Sequence, residues 1–119
     1  MAQHNDFGKK GEALAIAYLQ KNGYKIIEKN YRYLKAEVDI IAQINNVLIA
    51  VEVKTRSSIF FWKSTRFCKS QKIKLMVQAM DFYVNQNQLD VEVRFDIVAV
   101  LINNQQTEIE HITDAFLYF

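Results

Sequence analysis

The stretch Glu37 to Arg56, EVDIIAQINNVLIAVEVKTR, admits few conformations. Two runs of alternating character flank Asn45-Asn46, a pair that tolerates the positive φ angles of a tight hairpin turn. With that pair at the tip, Ile44 faces Val47 and the register sets Asp39 against Glu52 and Glu37 against Lys54. Val38, Ile40, Ala42 and Ile44 then share one face of the first strand, and Val47, Ile49, Val51 and Val53 the matching face of the second. The opposite face is polar only at one end, where Glu37, Asp39, Glu52 and Lys54 gather, and carries Ile41, Leu48 and Ala50 nearer the turn. A merely solvated face would be polar along its whole length. Facing Cβ atoms lie roughly 5 Å apart, so like charges directly opposite repel. A divalent cation is one way to offset the repulsion between Asp39 and Glu52.

The elements around this hairpin follow from periodicity and punctuation. A first helix is expected from about Asp6 to Asn22, with Asn5 or Asp6 as N-cap and Gly23 just past its end. Gly8 and Gly11 on one side of it permit close approach to a sheet. Glu12 belongs to its apolar stripe, one turn before Ile16; it either finds a partner there or reaches water at the stripe's rim. Tyr24 to Leu34 reads as a strand with Ile26 or Ile27 inward. A second helix is expected from Ser70 to Asn87, its core stripe formed by Ile73, Met76, Val77, Met80, Tyr83 and Val84. Val91 to Ile102 suits a central strand buried on both sides, and Thr107 to Ile112 is a short final strand. The order α-β-β-β-α-β predicts an α/β domain over residues 1–119, with a mixed central sheet flanked by helices. The closing apolar residues are expected to dock on the domain or on a partner.

Composition narrows the possible chemistry. The single cysteine, Cys68, excludes an internal disulfide and a cysteine zinc site, which fits a reducing cytoplasm. His4 and His111 stand isolated, with neither metal spacing nor a nucleophile beside them. No apolar run approaches the ~20 residues of a membrane span, and the first residues lack the pattern of a signal peptide. The net charge is only +2, yet Val53 to Met80 holds seven bases and no acid. Lys54, Arg56, Lys63, Arg66, Lys69, Lys72 and Lys74 are either a polyanion-binding surface or a solvated loop and helix face. Lys69, Lys72 and Lys74 crowd the wrong end of the second helix for its dipole, which a nearby anion, a carboxylate cluster or coincidence would explain. Phe60, Phe61, Trp62 and Phe67 also have two readings: stacking on bases, or packing over the core and in a dimer contact.

Asp39, Glu52 and Lys54 form an acid followed by E-x-K. With the carbonyl of Val53, the two carboxylates are hard oxygen ligands suited to Mg²⁺ or Mn²⁺. Lys54 beside them could orient an attacking water or neutralise charge on a phosphodiester in transfer. The bland alternative is a surface hairpin held by a Glu37–Lys54 ion pair, worth about 0–1 kcal/mol.

The same residues resemble the YraN family, bacterial proteins with a restriction-endonuclease-like fold related to Holliday-junction resolvases. The similarity takes in Gly8-Lys9-Lys10-Gly11-Glu12, Gly23-Tyr24, Asn30-Tyr31-Arg32, Glu37-Val38-Asp39-Ile40-Ile41, Val51-Glu52-Val53-Lys54-Thr55-Arg56, Lys72, Arg94-Phe95-Asp96 and Ala115-Phe116. It implies that Asp39, Glu52 and Lys54 are the PD-(D/E)xK catalytic residues and that Glu12 joins Asp39 and Glu52 around the metal. It further implies an endonuclease acting on DNA, with branched or repair intermediates as the form cut. Arg56, Lys63, Arg66, Lys69 and Lys72 would contact phosphates, and Arg94 and Asp96 would form a supporting ion pair. The alternatives are a non-catalytic nucleic-acid-binding or scaffold protein on the same fold, and a structural homodimer.

Overall fold

A computed structural model describes residues 2–58 and 70–116, with side chains from residue 6 onward. In chain order the elements are α1 (Ala2–Lys21), β1 (Lys25–Tyr33), β2 (Ala36–Ile44), β3 (Val47–Arg56), α2 (Ser70–Gln86), β4 (Glu92–Ile102) and β5 (Thr107–Ile112). The five strands lie side by side in the order of the chain. β1, β2 and β3 are antiparallel neighbours, β4 joins β3 in parallel through the α2 crossover, and β5 returns antiparallel to β4. This is the αβββαβ core of a restriction-endonuclease-like α/β fold, a mixed sheet with a helix on each face.

The sheet buries two apolar layers. Beneath α1 pack Ala15, Leu19, Ile40, Ala42, Ile49, Val51, Val98 and Val100; beneath α2 pack Val38, Ile41, Leu48, Ala50, Met76, Met80 and Ile97. Two-sided burial is why β4 is apolar without alternation: Ile97 packs beneath α2, Val98 and Val100 beneath α1, and Ile97 to Leu101 are all buried. α1 comes close to β3 because Gly11 lacks a side chain: a Cβ there would lie 1.9 Å from the Thr55 Oγ1. Gly8, expected to do the same, has open space around it.

The hairpin has the expected register, from Ile44–Val47 back to Ile40–Val51. At its tip Asn45 alone takes the left-handed conformation, with φ 53°. Asn46 instead points its side-chain amide at the Asp90 carbonyl, 3.4 Å away, and ties the turn to the start of β4. α1 begins at Ala2, so Asn5 and Asp6 lie inside it rather than capping it. Val38 and Ile40, expected on one face, pack under different helices. The change of side falls opposite Asn30, a left-handed residue (φ 53°) within β1. Such a residue breaks the strict alternation of a strand. In Ile26 and Ile27 the alternative resolves as both: one packs on each face, beside a register shift in β1.

Candidate functional site

Four elements deliver side chains to the place where the hairpin ladder ends. Beyond the Ile40–Val51 pair the Val53 amide donates to Asp39 Oδ2 at 2.8 Å. Glu52 leaves β3 beside it and is 3% exposed. Its Oε2 accepts from the Lys72 ammonium, brought by the first turn of α2, and lies 4.0 Å from Lys54 Nζ. Its Oε1 is buried with no hydrogen-bond partner among the described residues. Glu12 comes from α1, whose approach Gly11 permits, and is hydrogen-bonded by the side chain of Asn30. Asp39 and Lys72 open onto a cleft of about 380 Å³ between the β1–β2 turn and α2, which Lys35, Glu37, Gln71 and Leu75 also line.

The electrostatics are those of crowded acids. Burial, then the charge of Glu52, pushes the Asp39 carboxyl up to about 7, while the Val53 amide and Lys72 oppose the rise and Glu12 adds to it. Burial and the charges of Glu37 and Glu52 also raise Glu12, against the hydrogen bond from Asn30. An isolated carboxylate deprived of water is costly unless cations or donors replace the lost solvent. Here the donors are fewer than the lone pairs. Among the described residues no group of three His, Cys, Asp or Glu side chains is arranged to hold a metal ion. The buried acceptor without a donor among the described residues, Glu52 Oε1, is nevertheless a hard oxygen of the kind that Mg²⁺ or Mn²⁺ takes.

Of the residues singled out by sequence, Glu12, Asp39, Glu52, Lys54 and Lys72 therefore meet in one place. The crowding of bases at the start of α2 is explained for Lys72, which answers a buried carboxylate. Arg56, at the end of β3, donates to the carbonyl of Thr55 at 2.9 Å. Lys63, Arg66, Lys69 and the aromatic residues Phe60, Phe61, Trp62 and Phe67 lie outside the described residues. One expected pairing is replaced. Glu37 is bridged by Arg32 at 3.5 Å and Lys54 stands beside Glu52. Arg32 faces Glu37 directly across β1 and β2, a shorter reach than the far side of the hairpin.

On the other face of the sheet lies the expected ion pair of Arg94 and Asp96, within a larger centre whose other members, His111, Tyr18 and Tyr24, the sequence hid. Arg94 grips Asp96 with two hydrogen bonds, Nε to Oδ1 at 2.9 Å and Nη2 to Oδ2 at 2.8 Å. His111, which looked isolated, lies with Nε2 at 2.7 Å from Asp96 Oδ2, and the Asp114 amide donates to Oδ1 at 3.0 Å. Tyr18 from α1 reaches His111 Nδ1 at 3.1 Å, and Arg94 donates to the Tyr24 hydroxyl at 3.0 Å. Burial pushes the Asp96 carboxyl up, but the bonds from His111, Arg94 and Asp114 outweigh it and hold the group below its usual range. The signal that could have found His111 is the β4–β5 register, which pairs it with Val98, diagonally next to Asp96.

Among the described residues no helix is long and apolar enough to cross a membrane. The family model for Uncharacterised protein family UPF0102 matches residues 11–100. The chain is 56% identical over 119 residues to a UPF0102 protein of Christiangramia forsetii, with 100% of both chains covered. It is 54% identical over 119 residues to one of Flavobacterium psychrophilum, again with 100% of both covered. With one of Bacteroides thetaiotaomicron the identity is 46% over 116 residues, covering 98% of this chain and 96% of the relative. The chain belongs to the uncharacterised family UPF0102, the YraN family whose motifs it carries.

Proposed function

We propose that this member of UPF0102 is a cytoplasmic, metal-dependent endonuclease that hydrolyses phosphodiesters of DNA. The observation that carries the reading is the unmet demand for positive charge at Asp39 and Glu52: one oxygen is buried without a donor among the described residues, and the neighbouring acid is pushed up to about 7. Asp39 and Glu52 would hold Mg²⁺ or Mn²⁺ together with the Val53 carbonyl, and Glu12 would be the third carboxylate. A bound cation of this kind supplies Lewis acidity toward a phosphodiester. Lys54, 15% exposed and 4.0 Å from Glu52, would orient the attacking water and neutralise charge on the phosphate. Arg56, Lys63, Arg66, Lys69 and Lys72 would track the DNA backbone beside the cleft. Calorimetry with Mn²⁺ should give binding heat for the wild type and none for Asp39→Ala. A screen of branched, flapped and single-stranded DNAs with Mn²⁺ should find one that is cut. Absence of both metal binding and nicking would sink the enzyme reading.

A second reading has its own support. The Lys72 ammonium already satisfies Glu52 Oε2, as an internal cation would in a protein that binds nucleic acid without cutting it. On that reading DNA binding persists and falls steeply with salt, while Mn²⁺ neither binds nor matters.

A further inference from the structure

We infer that Lys72 is a resident counter-cation of Glu52, which a divalent cation must displace and which the DNA backbone draws away. The metal site is thereby kept closed until a nucleic acid arrives. This rests on the nuclease reading and adds its regulation. Glu52 is 3% exposed and fixed in the middle of β3, so it cannot follow a departing partner. Lys72 is its opposite in every respect. Its side chain is 47% exposed, sits in the first turn of a helix, and carries its charge at the end of a flexible four-carbon stem. It also lines the cleft that Asp39 opens onto, so a phosphate entering there comes within reach of this ammonium.

Two cations held beside one buried carboxylate repel each other where little water screens them. Entry of Mg²⁺ or Mn²⁺ beside Asp39 places like charges together and drives Lys72 toward solvent, where a polyanion offers it a favourable partner. By linkage the reverse also holds. DNA that engages Lys72 leaves Glu52 with both oxygens bare, which raises the affinity for the divalent ion by the factor by which the ion raises affinity for DNA. Lys54, buried nearer the sheet and 4.0 Å away, stays to do chemistry while Lys72 moves.

The test compares the full-length wild type with Lys72→Gln and Lys72→Arg, by titration with Mn²⁺ alone and with Mn²⁺ plus a short duplex bearing uncleavable linkages. Lys72→Gln removes the competitor and should bind Mn²⁺ about fivefold more tightly than the wild type without DNA, the low end of typical coupling because Lys72 is half exposed. The duplex should tighten Mn²⁺ binding to the wild type and to Lys72→Arg, but leave Lys72→Gln unchanged. Thermal unfolding gives a readout apart from binding: without metal, Lys72→Gln melts below wild type, and Mn²⁺ raises its midpoint more than it raises that of the wild type. Equal or weaker Mn²⁺ binding by Lys72→Gln, with the wild type still binding, overturns the competition and leaves the metal reading standing. No Mn²⁺ binding by any of the three proteins overturns both.

Discussion

Two buried carboxylates on adjacent parallel strands make an instructive pair. Asp96 on β4 is 0% exposed and Glu52 on β3 is 3% exposed, and in the parallel register Asp96 stands beside Val51, the residue before Glu52. They point to opposite faces and have opposite fates. Asp96 receives a bidentate arginine, a histidine and a backbone amide, so its lost hydration is replaced within the molecule. Glu52 receives one hydrogen bond, from a half-exposed lysine, has one oxygen without a donor among the described residues, and sits against a second acid. Burial alone therefore does not mark a functional acid; the difference between burial and supply of donors does.

The contrast predicts opposite signs for parallel mutations. Arg94→Ala removes the bidentate cationic partner of a fully buried carboxylate and should destabilise the protein by about 3–5 kcal/mol in urea unfolding. A loss under 1 kcal/mol would mean that the Asp96 centre is not what binds β4, β5 and α1 together. Gly11→Ala comes next. Its Cβ would lie 1.9 Å from Thr55 Oγ1, so α1 must shift, at about 1–3 kcal/mol, and carry Glu12 away from Asp39. Gly8→Ala has room and should instead gain up to about 1 kcal/mol of helix propensity; the two substitutions measured side by side separate packing from propensity. Asp39→Asn keeps an acceptor for the Val53 amide while removing repulsion from Glu52, so stability should hold or rise by about 1 kcal/mol as Mn²⁺ binding disappears.

The same two centres should split the pH dependence. Asp39 has a folded value of about 7 against an ordinary 3.8, so the native state holds a proton that the unfolded chain has released. Stability without metal should fall as pH rises from about 4 to 7 and then level, and Asp39→Asn should flatten that slope. Asp96 is shifted the other way. Its contribution is complete above the ordinary carboxylate range and is lost as pH falls through its lowered folded value. A urea series across pH that shows no fall between 4 and 7 would contradict the crowding of acids around Asp39. The smallest expected effect is on DNA: Lys72→Gln should reduce the slope of log affinity against log salt by about one.

What was legible in the sequence was whatever depends on alternation and local punctuation. The hairpin register follows from Asn45-Asn46 and the period of two, and the convergence of Asp39, Glu52 and Lys54 follows from the register. The start of α1 was misplaced because Asn5 and Asp6 look like caps, although helical backbone begins before them. The split of Val38 from Ile40 was not legible, because it depends on Asn30 taking a left-handed turn in a different strand. Arg32 as the partner of Glu37 required the β1–β2 pairing, and His111 required the β4–β5 pairing. Those are relations between neighbouring strands whose register the local sequence does not fix by itself. The depth of Glu52 was likewise hidden, since only the α2 crossover buries the face it leaves.

The parallel seam between β3 and β4 also orders the assembly of the chain in time. β2 and β3 close across a two-residue turn, whereas β4 reaches β3 only after the whole crossover through α2 has been drawn up. Closing the longer loop costs more entropy and is the slower event. The acids of Asp39 and Glu52 are thus brought together before the helix bearing Lys72 can dock. Folding must climb an electrostatic hill on the hairpin before its relief arrives from α2. Moderate salt, which screens that hill, should quicken refolding of the wild type more than of Asp39→Asn in stopped-flow experiments, and equal acceleration of the two would show that the acids meet only after α2 is in place.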